Sequence, residues 1–147
     1  MSILRVSPEE ALRLLREEGY TYLDVRSIPE FEDGHPEGAF NVPFMHMTPA
    51  GMQTNADFLA VVQQIFPEDA KLVLGCKSGG RSLRAAEQLV HAGYVHVVDQ
   101  KAGWAGQTDQ FGRVAEEGWG PKGLPASKET ALGHGYDALL KKAFGGS

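Results

Sequence analysis

The sequence predicts an α/β fold with a central, mostly parallel β-sheet flanked by helices on both faces. Helix-like and strand-like segments alternate through most of the chain, the pattern that right-handed crossovers between parallel strands produce. Lys71-Leu72-Val73-Leu74-Gly75 is a short apolar run of the kind that makes a buried strand. At 147 residues, with 42% hydrophobic and 22% charged side chains, the chain suits one globular domain with a substantial core.

Ser7-Pro8-Glu9-Glu10 supplies an N-cap, a first-turn proline and a capping-box glutamate ahead of Ala11, Leu12, Leu14 and Leu15, and Gly19 stops that helix. A strand follows over residues 21–25. Residues 29–32 make a short helical turn before the breaks at Gly34, Pro36 and Gly38, and 39–42 form another brief strand. Asn55 caps a helix carrying Phe58, Leu59, Val62, Ile65 and Phe66, and the turn Pro67-Glu68-Asp69 delivers the chain to the strand ending at Gly75. Leu83, Ala86 and Val90 then fall at helical spacing, Gly93 ends that helix, and 94–98 form one more strand. A C-terminal extension, residues 131–147, holds a short amphipathic helix over 136–144, with Leu139, Leu140 and Phe144 apolar. It packs on the domain, mediates a dimer or frays.

The only cysteine, Cys76, sits at a strand-to-helix turn and opens the run Cys76-Lys77-Ser78-Gly79-Gly80-Arg81-Ser82. An unpaired cysteine is ordinarily a small core hydrophobe. The polar, basic and glycine residues after Cys76 argue instead for a reactive thiol. Gly79 and Gly80 are free to take positive φ, so that successive N–H groups form an anion-binding nest at the start of the helix.

The segment Tyr22-Leu23-Asp24-Val25-Arg26, followed by Glu30-Phe31, Gly34-His35, Gly38-Ala39 and Asn41-Val42-Pro43, is similar to the N-terminal signature of single-domain rhodaneses, sulfurtransferases of the Cdc25-like fold. Cys76 to Arg81 resembles their active-site loop. Asp99-Gln100-Lys101-Ala102-Gly103-Trp104 is similar to the later Gly-Gly-aromatic motif, with Ala102 in place of the first glycine, and Gly123-Leu124-Pro125 to the usual ending. The resemblance implies a rhodanese domain over residues 1–130, although 106–120 is longer and richer in glycine than the usual link.

It also implies a reaction. The Cys76 thiolate takes the outer sulfur of thiosulfate or a related donor as a persulfide, then passes it to cyanide, a thiol or a protein cysteine. Lys77, Ser78, Gly79, Gly80, Arg81 and Ser82 form the donor-binding loop, and no cofactor or metal is needed. A free thiol of pKa about 8.5 is only ~3% ionised at pH 7. Lowering such a pKa by about two units nets only a roughly threefold gain, because nucleophilicity falls with basicity. Holding the anionic donor and stabilising transferred charge must therefore supply more. Arginine at the loop's end favours a sulfonate-bearing donor.

A Cdc25- or arsenate-reductase-like phosphatase is the first rival, but such relatives place five residues between Cys and Arg, and Cys76 and Arg81 enclose four. A silent binding module would commonly lack the cysteine. A sulfur-relay carrier working with protein partners remains the serious alternative.

Asp24 and Arg26 read as an ion-paired scaffold rather than a crevice lining, and His35 as structural. For Lys101 and Trp104 a pocket rim and ordinary packing stay open. Met45-His46-Met47 with Met52 lacks a convincing copper ligand set, the methionines reading as filling of a loop-covered apolar patch, and His91 and His96 read as solvent-facing. A net charge of -5 argues against nucleic-acid or anionic-membrane partners, and a monomer or homodimer is expected. One cysteine excludes an intramolecular disulfide, and Met1 to Val6 holds no signal-like apolar stretch, which makes the cytoplasm the default expectation.

Overall fold

The computed structural model describes residues 3–145; residues 1–2 and the end of the 131–147 extension, 146–147, lie outside the described residues. In chain order the elements are β1 (Leu4–Val6), α1 (Pro8–Glu17), β2 (Thr21–Asp24), α2 (Ile28–Glu32), β3 (His35–Pro36), β4 (Phe40–Asn41), β5 (Met45–Thr48) and β6 (Gly51–Thr54). They continue with α3 (Phe58–Ile65), β7 (Lys71–Gly75), α4 (Gly80–His91), β8 (His96–Gln100), β9 (Gly106–Thr108), β10 (Val114–Glu117), β11 (Ala126–Ser127) and α5 (Tyr136–Ala143).

Five strands form the central sheet in the order β1-β8-β7-β2-β4, and every neighbouring pair is parallel. Because side chains alternate across a strand, the sheet makes two cores. Leu23, Leu72 and Leu74 face Phe58, Val61, Val62, Ala85, Ala86 and Leu89 of α3 and α4. Tyr22, Val73 and Val98 face Ala11 and Leu14 of α1, Phe31 of α2 and Trp119. Helices therefore cover both faces, as the alternation of the sequence predicts.

Local chemistry explains the elements. Ser7 accepts the Glu10 N–H at 3.1 Å and Pro8 occupies the first turn of α1. Asn55 caps differently from the sequence reading: it closes a turn one step before α3, its Oδ1 accepting from the Asp57 N–H, while Nδ2 donates to the Pro43 carbonyl and to Tyr136 Oη. That last bond ties in the C-terminal extension. Tyr136 and Leu139 of α5 are buried in the same cluster as α3, so the helix packs on the sheet's cover.

Two hairpins stand outside the sequence reading. Residues 45–54 form β5–β6, leaving Met47 54% and Met52 38% exposed while Met45 is half-buried, which corrects the idea of a loop-covered methionine patch: the outward side chains of this two-stranded ribbon face solvent. The 106–120 link holds the β9–β10 hairpin, with Phe111 and Val114 exposed. Leu139, 2% exposed, tests the docking of α5. Leu139→Ala should lower stability by about 2–4 kcal/mol, read as a fall in the urea midpoint at unchanged m-value; a shift below about 0.5 kcal/mol would mean that α5 is peripheral to the core.

Candidate functional site

Strand β7 ends at Gly75, and Cys76 follows at the carboxyl edge of the sheet, where open parallel sheets bind ligands. Its Sγ is nearly enclosed, the residue being 2% exposed, and it accepts two backbone hydrogen bonds, from the Gly79 N–H at 3.1 Å and the Ser82 N–H at 3.3 Å. The carbonyls of the same turn face the other way. Cys76 C=O accepts from the Trp104 N–H at 2.8 Å, Lys77 C=O from the Ala105 N–H at 2.9 Å, and Ser78 C=O from Gln107 Nε2 at 3.5 Å. Pinning the oxygens to the segment after β8 leaves the amides directed at the sulfur.

Glycine geometry allows this. Gly79 takes φ +100° and caps α4, whereas Gly80 does not share the positive φ that the sequence analysis allowed for both: it is already the first residue of the helix. At Gly103, φ +70°, a Cβ would collide with the carbonyls of Cys76 and Lys77, so only glycine lets the two segments approach closely enough to bond. Ala102, buried where the family motif has its other glycine, keeps φ in the ordinary range.

Around the loop the predicted residues separate. Lys77, Ser78 and Gly80 are exposed, Gly79 and Ser82 are buried, and Arg81 is intermediate. The Arg81 guanidinium meets Glu30 in a two-point pair, 2.8 and 2.9 Å, so it fastens the start of α4 to α2. The sequence reading gave Arg81 two parts, fixing the loop and binding the donor, and gave Glu30 no role beyond the signature. Their partnership joins residues 51 positions apart, which no local pattern reports. Ser27 also bonds Glu30, from its N–H and its hydroxyl. Burial alone would raise the Glu30 carboxyl, but the bonds from Arg81 and Ser27 overcome it and hold the group at about 2.

Asp24 and Arg26 form the buried scaffold pair, 2.7 Å, with Arg26 also donating to the Gly34 carbonyl at 2.6 Å. His35 is structural, stacked on Phe31 at 3.7 Å with Nδ1 2.7 Å from the Phe31 carbonyl oxygen. Trp104 packs beside Arg26, its ring centroid 5.2 Å from the guanidinium carbon, and Lys101 lies 3.7 Å from Glu116. His91 and His96 are exposed. Among the described residues no His, Cys, Asp and Glu side chains cluster as a metal site.

The Rhodanese-like domain model matches residues 7–109. The chain is 40% identical over 107 residues to thiosulfate sulfurtransferase 16, chloroplastic, of Arabidopsis thaliana, covering 73% of this chain and 79% of that protein. It is 38% identical over 102 residues to rhodanese-like domain-containing protein 15, chloroplastic, of the same plant, covering 69% of this chain and 56% of that one. Among solved structures, Rv0390 from M. tuberculosis superposes with a TM-score of 0.73 at 26% identity, over 88% of this chain and 100% of that chain. The cytoplasmic expectation is corrected by these relatives, both chloroplastic by name. It rested on the single cysteine and on finding no signal-like apolar stretch in Met1 to Val6, but import into plastids uses amphipathic, Arg- and Ser-rich transit peptides, and the domain's own composition carries no address.

The Glu30–Arg81 pair gives a test with a definite sign. Glu30 is held at about 2 against an ordinary 4.5, so its contribution is complete above about pH 4.5 and is lost as pH falls toward 2. Glu30→Gln should lower stability at pH 7 by about 2 kcal/mol, allowing for solvent screening of a partly open pair. In urea titrations the gap to wild type should narrow from pH 5 to pH 3; a gap independent of pH would show that the carboxylate's charge is not what anchors Arg81.

Proposed function

The chain belongs to the rhodanese-like domain family, a sulfurtransferase family, and from that premise we propose that it moves a sulfane sulfur from thiosulfate, or a related anionic donor, to a thiophilic acceptor through a persulfide on Cys76. The observation that carries this reading is the pair of backbone N–H groups on Cys76 Sγ at the N-terminus of α4, which favours a sulfur anion over a packed thiol.

In the first half-reaction the Cys76 thiolate attacks the outer sulfur of thiosulfate. A Cys76 S–S bond forms, the donor's S–S bond breaks, and sulfite leaves with the bonding pair. The negative charge then rests on the persulfide's terminal sulfur. That sulfur extends about 2 Å beyond Sγ, so an acceptor attacks the outer atom while Sγ stays recessed. Cyanide leaves as thiocyanate, a thiolate leaves as a persulfide, and the Cys76 thiolate is restored with the electron pair of the broken bond. No proton or external electron is required.

The parts divide by position. Gly79 and Ser82 amides hold the sulfur, Arg81 holds the loop through Glu30, and Lys77, exposed beside the loop, attracts the donor's sulfonate oxygens. The Arg81–Glu30 pair also weighs against the phosphatase reading, which needs the loop arginine for a phosphoryl group. The relay reading keeps one supporting feature: an almost wholly buried Sγ is reached more readily by a slim donor group, such as a partner's persulfide, than by a bulky one.

Incubating the intact protein with thiosulfate should add one sulfur, about 32 Da, and release sulfite in equal amount. Cys76→Ser should fold and do neither; turnover retained in that variant would overturn the assignment. Lys77→Ala should raise the thiosulfate KM with little change in kcat, lowering kcat/KM roughly 10-fold or more. An unchanged KM would remove Lys77 from donor binding. If thiosulfate only stands in for a protein persulfide, the loss should be confined to thiosulfate.

A further inference from the structure

Behind the Cys76 loop lies a charged brace that the proposed chemistry does not use. Arg5 on edge strand β1 is the register partner of Asp99 on β8, and its Nε donates to Asp99 Oδ2 at 2.8 Å. The same guanidinium reaches beyond the strand end and donates from Nη2 to the Gly79 carbonyl at 3.2 Å. Asp99 is fully buried, and its other oxygen, Oδ1, has no hydrogen-bond partner among the described residues. Burial pushes the Asp99 carboxyl upward, against the opposing pull of Ser82 and Arg5. A buried, half-satisfied carboxylate is a poor device for stability alone, since its desolvation is only partly offset.

Gly79 is where this brace acts on the sulfur. Its N–H makes the shorter of the two bonds to Cys76 Sγ, while its carbonyl receives only long bonds from the helix, 3.3 Å from the Leu83 N–H and 3.4 Å from Ser82 Oγ. A Cβ at Gly79 would collide with the Lys101 carbonyl and Arg5 Nη2, so the residue is enclosed by the brace as well as bonded to it. The Gly79 N–H and C=O belong to two peptide planes that meet at one Cα, so Arg5 on the Gly79 carbonyl and Gln107 on the Ser78 carbonyl, which shares the N–H's plane, together limit how far the residue can move from Sγ.

We infer that Arg5, oriented by Asp99, is a positioning residue: it anchors Gly79 through its carbonyl and thereby keeps the Gly79 N–H within bonding distance of the reacting sulfur. The inference rests on the reading of Cys76 as that sulfur. The guanidinium is suited to this because its planar fork holds Nε and Nη2 at a fixed spread that serves both oxygens, whereas a lysine's donors all sit on one nitrogen.

The test uses the full chain with Arg5→Ala and Arg5→Lys, assayed at a temperature where circular dichroism shows each variant fully folded. Arg5→Ala should lower kcat for sulfur transfer roughly 5- to 30-fold with the thiosulfate KM within about twofold of wild type. Arg5→Lys should recover less than half of the loss, whereas a residue that merely stabilises the fold would leave kcat unchanged under these conditions. Unchanged kcat, or a raised KM at unchanged kcat, overturns the proposal. Alkylation of Cys76 by neutral iodoacetamide at pH 7 provides the second readout. It should slow by about 1.5- to 3-fold in both variants, because the thiolate loses its best-placed amide while its intrinsic nucleophilicity rises only partly in compensation. Unchanged or faster alkylation also overturns the proposal, since a loop that is only loosened would expose the sulfur. Wild type that fails to form a persulfide refutes the donor reading instead, and the alkylation comparison then decides on Arg5 by itself.

Discussion

The chemistry of this molecule depends on which way the peptide groups between Cys76 and Gly79 face. A polypeptide leaving a strand has no intrinsic reason to turn its amides toward its own side chain. Here the carbonyls of Cys76 and Lys77 are taken by the N–H groups of Trp104 and Ala105, and the Gly79 and Ser82 amides are left for the sulfur. The two halves of the site therefore lie on neighbouring parallel strands, β7 and β8, and come together only because the sheet aligns their carboxyl ends. A fold that failed to register β7 against β8 would lose the nest while keeping every residue in it.

Legibility in the sequence follows this division between local and distant causes. The alternation of elements, the cap at Ser7, the apolar face of α3 and the glycine-rich turn after Cys76 are all written within a few residues, and periodicity and turn chemistry recover them. Strand β1 escapes because Leu4-Arg5-Val6 is too short to show alternation; it becomes a strand by pairing with β8, which supplies its hydrogen bonds. The hairpins at 45–54 and 106–117 escape for a related reason: they carry few β-branched or aromatic residues, and their stability comes from bonds to each other. Glu30 and Asp99 were visible as acids, but their roles depend on Arg81 and Arg5, partners from other elements.

Family resemblance and physical reading contribute different things. The resemblance places Cys76 and the glycines, and the fold explains why Ala102 is tolerated. The residue whose Cβ would block the approach of the two segments is Gly103, whereas position 102 keeps ordinary backbone angles and accepts a methyl group. The motif's two small residues are thus not equivalent: one is demanded by backbone crossing and the other by burial alone.

Three of the guanidiniums around the site are neutralised: Arg26 by Asp24, Arg81 by Glu30 and Arg5 by Asp99, whereas Arg84 of α4 lies over the Phe44 ring without a carboxylate among the described residues. Such pairs contribute fixed geometry rather than net positive potential, and the chain as a whole carries -5. Under the proposed sulfur transfer, an anionic donor would therefore be drawn by the exposed Lys77 and held by the loop amides. The first contribution is a surface charge, screened within about 8–10 Å at ordinary ionic strength; the second consists of buried dipoles that salt hardly reaches. On that reading donor capture and sulfur stabilisation are separable, since one rests on an exposed surface charge and the other on peptide groups fixed from below.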